Sequence, residues 1–498
     1  MIWPLVVTLC SASCVHAHLQ MSSIFSDGAI MQTTEEGGHS PVIFGQSNAS
    51  SLIQITIKGP LNLTTAADSK GNWRVTVKET PSNPGPYNIS IVEYPPSGDS
   101  PLDTFNMSDI FFGDVYFCSG QSNMAFTMHG IWNATDELAN ANHTNIRLFK
   151  ARGSWMPCNN ATVASFSAVC YLSGRDIMTM HTGSRYMGLI ESAVGGTGIQ
   201  LWASNETEMT CGQEAVRLKE NYKAASLYET MVLPYLPYAV RAAFWYQGEA
   251  NADECCPIGR EDYSCYMEHM ITDWQGVWGY KVPFVLIQLH AWGYMVCDME
   301  QVLANELESG IRLAQWDVGR RNISNVALVS AVDLGGPLHP PYKSEVGRRV
   351  ALATVATVFY QDIKWQYPYI RNATGNYTKG MFSIELYIEN GDGLRLVETP
   401  TCNQSDATKC SVYCCKNGAP GMFILLGYNW SSFYNANAYN LQVVDIKDHY
   451  IRLSMLAKDT YKGKPHVTRI LYQVASEPFC SVVNGQGIAM PTQGPIPF

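Results

Sequence analysis

The sequence predicts an α/β fold with a mostly parallel central sheet, flanked by accessory β-sandwich domains. Three observations carry that reading. In the middle of the chain, apolar runs end in polar, glycine-containing sequence and alternate with longer helix-like segments, the pattern of a parallel sheet covered on both faces. Before this region, short runs alternate apolar and polar residues with a period of two. After it the same pattern returns. With 498 residues, 46% hydrophobic and 15% charged, the chain has a globular composition and room for about two to four units of roughly 100–200 residues each.

In chain order, residues 1–17, "MIWPLVVTLCSASCVHA", form an apolar stretch too short to span a bilayer. It ends in Val15-His16-Ala17, a small-residue pattern of the kind cleaved from secretory leaders. No later stretch reaches the ~18–20 apolar residues of a membrane span. Residues 18–110 carry "PVIFG", "LIQITIKG", "NWRVTVKE" and "YNISIVEY", separated by turn-rich sequence, and are expected to form an N-terminal antiparallel β-sandwich. Residues 111–360 form the expected catalytic α/β unit. Its strands are "DVYFCSG", "NIRLFKA", "YMGLIESAVGG", "AAFWYQGEA", "VPFVLIQL" and "VALVSAVDLGG", with helices such as "EAVRLKENYKAASLYETMV" and "KSEVGRRVALATVATVFYQ". Residues 361–498 return to strand-like runs, "MFSIELYIEN", "GMFILLGY", "LQVVDI" and "HVTRILYQV".

Acceptor patterns N-x-S/T occur at Asn48, Asn62, Asn88, Asn106, Asn133, Asn142, Asn160, Asn205, Asn322, Asn372, Asn376, Asn403 and Asn429. Behind a leader, so many fit a glycoprotein of the secretory pathway, secreted or lysosomal, with the acceptors mostly on surface loops. Of the 15 cysteines, Cys10 and Cys14 fall in the leader, and Cys255, Cys256, Cys265, Cys402, Cys410, Cys414 and Cys415 cluster. In an oxidising compartment such clusters read as disulfides rather than metal sites, and they lack C-x-x-C spacing, so no metal or other cofactor is expected. An odd number remains, and Cys118 is the expected free thiol. The net charge of −10, with no basic stripe, argues against nucleic acid and favours a small neutral or glycan substrate.

The chemistry gathers at the strand ends, where ligands bind in parallel sheets. These are Gly120-Gln121-Ser122-Asn123, Gly195-Gly196-Thr197, Gln247-Gly248-Glu249-Ala250-Asn251 and Asp333-Leu334-Gly335-Gly336-Pro337-Leu338-His339. Together they supply a hydroxyl nucleophile, a base and oxyanion donors, the set that acyl transfer to water requires. Ser122 would attack an ester carbonyl after passing its proton to His339, and Asp333 is the nearest upstream carboxylate to balance the imidazolium. The oxyanion donors would be the backbone N–H groups of Ser122 and Gly196 and the side-chain amide of Gln247. Pro340-Pro341 and the helix-like run behind them put His339 at or just before a helix N-terminus, whose dipole favours a neutral ring. Read alone, each piece has an ordinary structural role as a turn, cap or loop residue. The α/β-hydrolase elbow G-x-S-x-G is not met, since Met124 stands where the second glycine belongs.

Four blocks in order, "GDVYFCSGQSNM", "ESAVGGTGIQLW", "FWYQGEAN" and "LHPPYKSEVGRRVA", resemble the sialic acid O-acetylesterase family within the SGNH-hydrolase group. The lead-in "GNWRVTV" and the ending "EPFCSVVNGQGIAMPTQGPIPF" are also similar. The resemblance implies an SGNH core, a three-layer α/β/α sandwich, with accessory β domains. It carries the nucleophile to Ser122, the oxyanion glycine to Gly196 ahead of Gly195, the third donor to Gln247 and the base to His339. One departure stands out: Gly336 and Pro337 occupy the places where many SGNH hydrolases hold the triad Asp. That leaves Asp333, another carboxylate, or a Ser-His dyad to complete the site. The implied activity is a serine esterase removing O-acetyl groups from sialic acid or sialoglycans. The alternatives are an O-acetylesterase for another acetylated glycan, such as acetylxylan, and a catalytically inactive glycan-binding protein.

Overall fold

The structure is a computed structural model that describes residues 19–497 apart from 59–60, 184, 213–223, 253–256, 293–305, 322, 324, 399–422, 428–441, 457–466 and 473–479. The leader, Cys10, Cys14, Cys255, Cys256, the cysteines at 402–415, the acceptors Asn322, Asn403 and Asn429, and most of the helix expected over 214–232 lie outside the described residues.

The N-terminal region contributes β1 (Gln20–Met21), β2 (Ile30–Gln32), β3 (Val42–Gln46), β4 (Leu52–Ile57), β5 (Leu61–Ala66), β6 (Asn72–Thr76) and β7 (Tyr87–Tyr94). β3 pairs antiparallel with β1 and β6, and β4 pairs antiparallel with β5 and β7. β8 then runs unbroken over Asp103–Gly120. Its first half alternates and pairs antiparallel with β7, whereas its second half is continuously buried. A strand with water on one face must alternate, and one covered on both faces need not. The boundary expected at 110/111 therefore falls inside one strand, and the apolar cores on its two sides merge.

The buried half of β8 lies at the centre of a sheet completed by β9 (His143–Lys150), β10 (Trp155–Cys158), β11 (Met187–Ala193), β12 (Ala242–Tyr246), β13 (Phe284–Gln288) and β14 (Val326–Ser330). The order is β10-β9-β11-β8-β12-β13-β14, with every neighbouring pair parallel except β10 with β9. The helices are α1 (Ser122–Ala125), α2 (Ala134–Ala139), α3 (Asn160–Ala164), α4 (Ala168–Met180), α5 (Asn205–Cys211), α6 (Arg260–Trp278), α7 (Glu306–Arg320) and α8 (Lys343–Val358). α4 packs on α8 and α6 on α7, and both α7 and α8 also pack on β13 and β14. No helix among the described residues is long and apolar enough to cross a membrane.

Beyond the sheet, β15 (Tyr369–Thr378), β16 (Met381–Glu389), β17 (Arg395–Glu398), β18 (Phe423–Gly427), β19 (Gln442–Lys447), β20 (Tyr450–Leu456), β21 (Val467–Tyr472), β22 (Cys480–Val483) and β23 (Gln493–Pro497) follow. They pair antiparallel in the orders β15-β16-β20-β19, β17-β22 and β18-β21-β23, around a second apolar core.

Two sequence expectations change here. Cys118 is not free: it forms a disulfide with Cys170, tying β8 to α4, and a second disulfide joins Cys211 to Cys265. The free thiol among the described residues is buried Cys158. The acceptor asparagines lie less on loops than expected. Asn62, Asn88, Asn106, Asn372 and Asn376 are exposed positions within strands, because the outward face of a half-buried strand is as open to water as a loop.

Candidate active site

Register brings three of the four strand ends level. Gly120 on β8 pairs with Ala193 on β11 and with Tyr246 on β12, so the turns that follow leave the sheet side by side. The seam continues past the strands, with Val194 N–H donating to Gly120 O (3.1 Å) and Gln121 N–H to Tyr246 O (3.0 Å). Gly120 has φ +142°, and a Cβ there would lie 2.1 Å from Tyr246 O, so only glycine lets β8 end this close to β12.

Ser122, the first residue of α1, is half-buried. The exposed Gly195-Gly196 turn lies against it: a methyl group on Gly195 would sit 3.4 Å from Ser122 Cβ. Gly196 is left-handed at φ +70°. The fourth strand end brings His339. Asn123, the neighbour of Ser122, donates from Nδ2 to the carbonyl of Leu338, the neighbour of His339, at 3.0 Å. Buried His290 holds the same loop, its Nε2 lying 3.3 Å from Pro337 O. The His339 ring lies 6.3 Å from that of Phe126, and its Nε2 is buried with no protein partner. Burial, and after it the Lys343 charge, hold its pKa below the usual imidazole value. A neutral ring can accept a proton.

Helix α8 begins only at Lys343, with Tyr342 as its N-cap. Pro340 and Pro341 thus precede the cap, and His339 stands clear of the first helical turn, where the dipole acts. Its neutral state has the other causes just given.

Two residues expected at the reacting centre are engaged elsewhere. Asp333 receives both Arg349 nitrogens, Nη1 on Oδ1 at 2.6 Å and Nη2 on Oδ2 at 2.7 Å. Arg349 also bonds Ser330 O and Glu345, so Asp333 closes a buried knot between the end of β14 and α8. No hydrogen bond joins it to His339. The bidentate fork of a guanidinium is a stronger claim on a carboxylate than a ring N–H. Gln247, fully buried, directs Nε2 at Gln121 Oε1 (3.1 Å), Thr197 O (3.0 Å) and Asn251 Oδ1 (2.7 Å). Its Oε1 accepts from Tyr263 at 2.9 Å. An amide with two hydrogens and three protein acceptors braces its turn and has no donor to offer an oxyanion.

Sequence reasoning passed over four residues that shape this centre. Gln121 Oε1 accepts from the N–H groups of Gly248 and Ala250, both at 3.2 Å, capping the turn after β12. Asn123, the neighbour of Ser122, joins Glu249 and Lys343, donating to the carboxylate and accepting from the ammonium. One signal was in the sequence, since a Lys at the first helical position opposes the helix dipole. Elsewhere, Cys211, Cys265 and His269 approach as metal-ligating types do, but the two sulfurs are bonded to each other and offer no thiolate.

Residues 112–355 match the family model described as carbohydrate esterase, sialic acid-specific acetylesterase. The chain is 24% identical over 424 residues to the sialate O-acetylesterase of Mus musculus, covering 68% of this chain and 73% of that enzyme. It is 28% identical over 301 residues to the sialate O-acetylesterase of Homo sapiens, covering 51% of this chain and 55% of that enzyme. A carbohydrate acetylesterase from Xanthomonas citri shares the fold at TM-score 0.72 and 20% identity, over 95% of this chain and 99% of that one. All four strand-end turns lie inside the matched stretch, so residues 112–355, which carry the candidate site, form a domain of the sialic acid-specific acetylesterase family of carbohydrate esterases.

Proposed function

We propose that the chain is a sialate O-acetylesterase working through a Ser122–His339 dyad. His339 takes the Ser122 Oγ proton as Oγ bonds to the acetyl carbonyl carbon. The backbone N–H groups of Ser122 and Gly196 hold the oxyanion. Collapse breaks the bond to the sugar oxygen, His339 returns the proton to that hydroxyl, and the free O-acetyl-less sugar departs. Water, deprotonated by His339, then releases acetate from Ser122. The observation that carries this reading is the Asn123-to-Leu338 hydrogen bond, which couples the residue after the nucleophile to the residue before the base.

The parallel run of β9, β11, β8, β12, β13 and β14 supports an SGNH-type scaffold, with residues 18–110 and 361–498 as accessory β regions. Two disulfides among the described residues favour passage through an oxidising, secretory compartment. The test is acetate release by purified protein from mono-O-acetylated sialic acids and from acetylxylan, beside Ser122→Ala. The proposal expects turnover of the sialic acid ester and a fall in kcat of roughly 10³-fold or more in the variant. Turnover of acetylxylan alone would reassign the substrate, and no turnover of either would leave a glycan-binding protein.

A further inference from the structure

Lys343 is fully buried, and its Nζ makes no ion pair with a carboxylate among the described residues. Its Nζ donates instead to Asn123 Oδ1, while Asn123 Nδ2 donates to Glu249 Oε1 (2.5 Å) and to Leu338 O (3.0 Å). One carboxamide thus links the Ser122 turn, the turn after β12, the His339 loop and the start of α8. The ammonium is caged by aromatic faces, 5.0 Å from the Phe126 centroid and 5.5 Å from that of Tyr246. Phe126 is also the ring beside His339. Burying a charge in this way is unfavourable unless it is compensated, and a Lys at the first helical position adds to that cost.

We propose that Lys343 is a positioning residue for the ester hydrolysis: through Asn123 it fixes the Ser122 turn against the His339 loop, and it sets a buried ammonium on the Phe126 ring that flanks His339. The inference rests on the Ser122–His339 reading. The titratable groups around Lys343 are Glu249 from the turn after β12, Tyr246 from β12, His290 after β13 and His339 itself. Arg312 on α7 acts on His290. Burial draws the Lys343 pKa down to about 7, and Glu249 opposes that fall. Below neutrality, where His339 titrates, Lys343 therefore carries its charge. The charge acts on both histidines in the same sense, lowering each. Sign follows directly: removing the cation raises the His339 pKa, and the acidic limb of kcat/KM moves to higher pH.

The test uses the full chain and two substitutions, with Ser122→Ala and His339→Ala measured beside them on the same O-acetylated sialic acid. Lys343→Met removes charge and donor. It is expected to lower kcat at least about tenfold with KM nearly unchanged, the scale of a misplaced reacting group, and to move the acidic limb upward. Lys343→Gln removes the charge but keeps a donor for Asn123. It is expected to recover most of kcat while retaining the shifted limb, and it carries the test by itself if the Met variant does not fold. Folded Lys343 variants with the parental pH profile, losing activity only in proportion to their loss of native protein, would overturn the inference and leave Lys343 as a packing residue. Full activity in Ser122→Ala or His339→Ala would instead overturn the dyad, an outcome separate from either result at Lys343.

Discussion

Asparagine in place of aspartate at residue 333 separates a catalytic carboxylate from a structural one. With Arg349 forked across both oxygens, Asp333→Asn should leave kcat of the folded enzyme within about tenfold. It should also destabilise the protein by up to about 3–5 kcal/mol, because a buried guanidinium loses its principal counter-charge. Thermal melts beside steady-state kinetics measure both, and a drop of about 10⁴-fold in kcat without a change in melting would restore Asp333 as the acid. The turns that carry Ser122, Gly196 and His339 were legible as strand ends, because polar, glycine-containing sequence follows an apolar run in each; the roles of the three residues are those proposed above. The partners of Asp333 and Gln247 were not legible, since all but Asn251 are remote in the chain. Arg349 is 16 residues on from Asp333, and Gln121 is 126 residues before Gln247. A single sequence carries no sign of which acceptors will surround a buried amide.

At the scale of elements, the turns are placed by the strands beneath them, and β8 is pinned to α4 by Cys118–Cys170 just before the Ser122 turn. Thiol labelling in denaturant without reductant should modify Cys158 and spare Cys118 and Cys170. In the native protein Cys158 should resist as well, its thiol buried and pushed up to about 12. Labelling of Cys118 under those conditions would contradict the bond. The pairing was out of reach of sequence reasoning because spacing does not determine connectivity. The strands themselves were legible. "DVYFCSG", "AAFWYQGEA" and "VPFVLIQL" are runs whose unbroken apolarity marks burial on both faces, and each coincides with a strand of the central sheet. Helix α6 was harder to read. Met, Trp, Tyr and Cys are mixed along it with charged residues, and no clean stripe of period 3.6 stands out.

For the whole molecule, the alternation between period-two strands and a buried parallel sheet was visible in the sequence, and so was its order along the chain. What was not visible is that β8 belongs to both regions, so that the N-terminal strands and the esterase sheet share one core. The site thereby sits on a scaffold whose central strand is shared by both regions, and the proposed chemistry depends on one transient bond, an acetyl ester on Ser122 Oγ. Rapid acid quench of the enzyme turning over an O-acetylated sialic acid, followed by mass spectrometry of its peptides, reads that bond directly. The account predicts an acetyl adduct on the peptide carrying Ser122, absent from Ser122→Ala and formed far more slowly in His339→Ala. An adduct on another residue, or an active enzyme that accumulates none under conditions where deacylation is slowed, would contradict it.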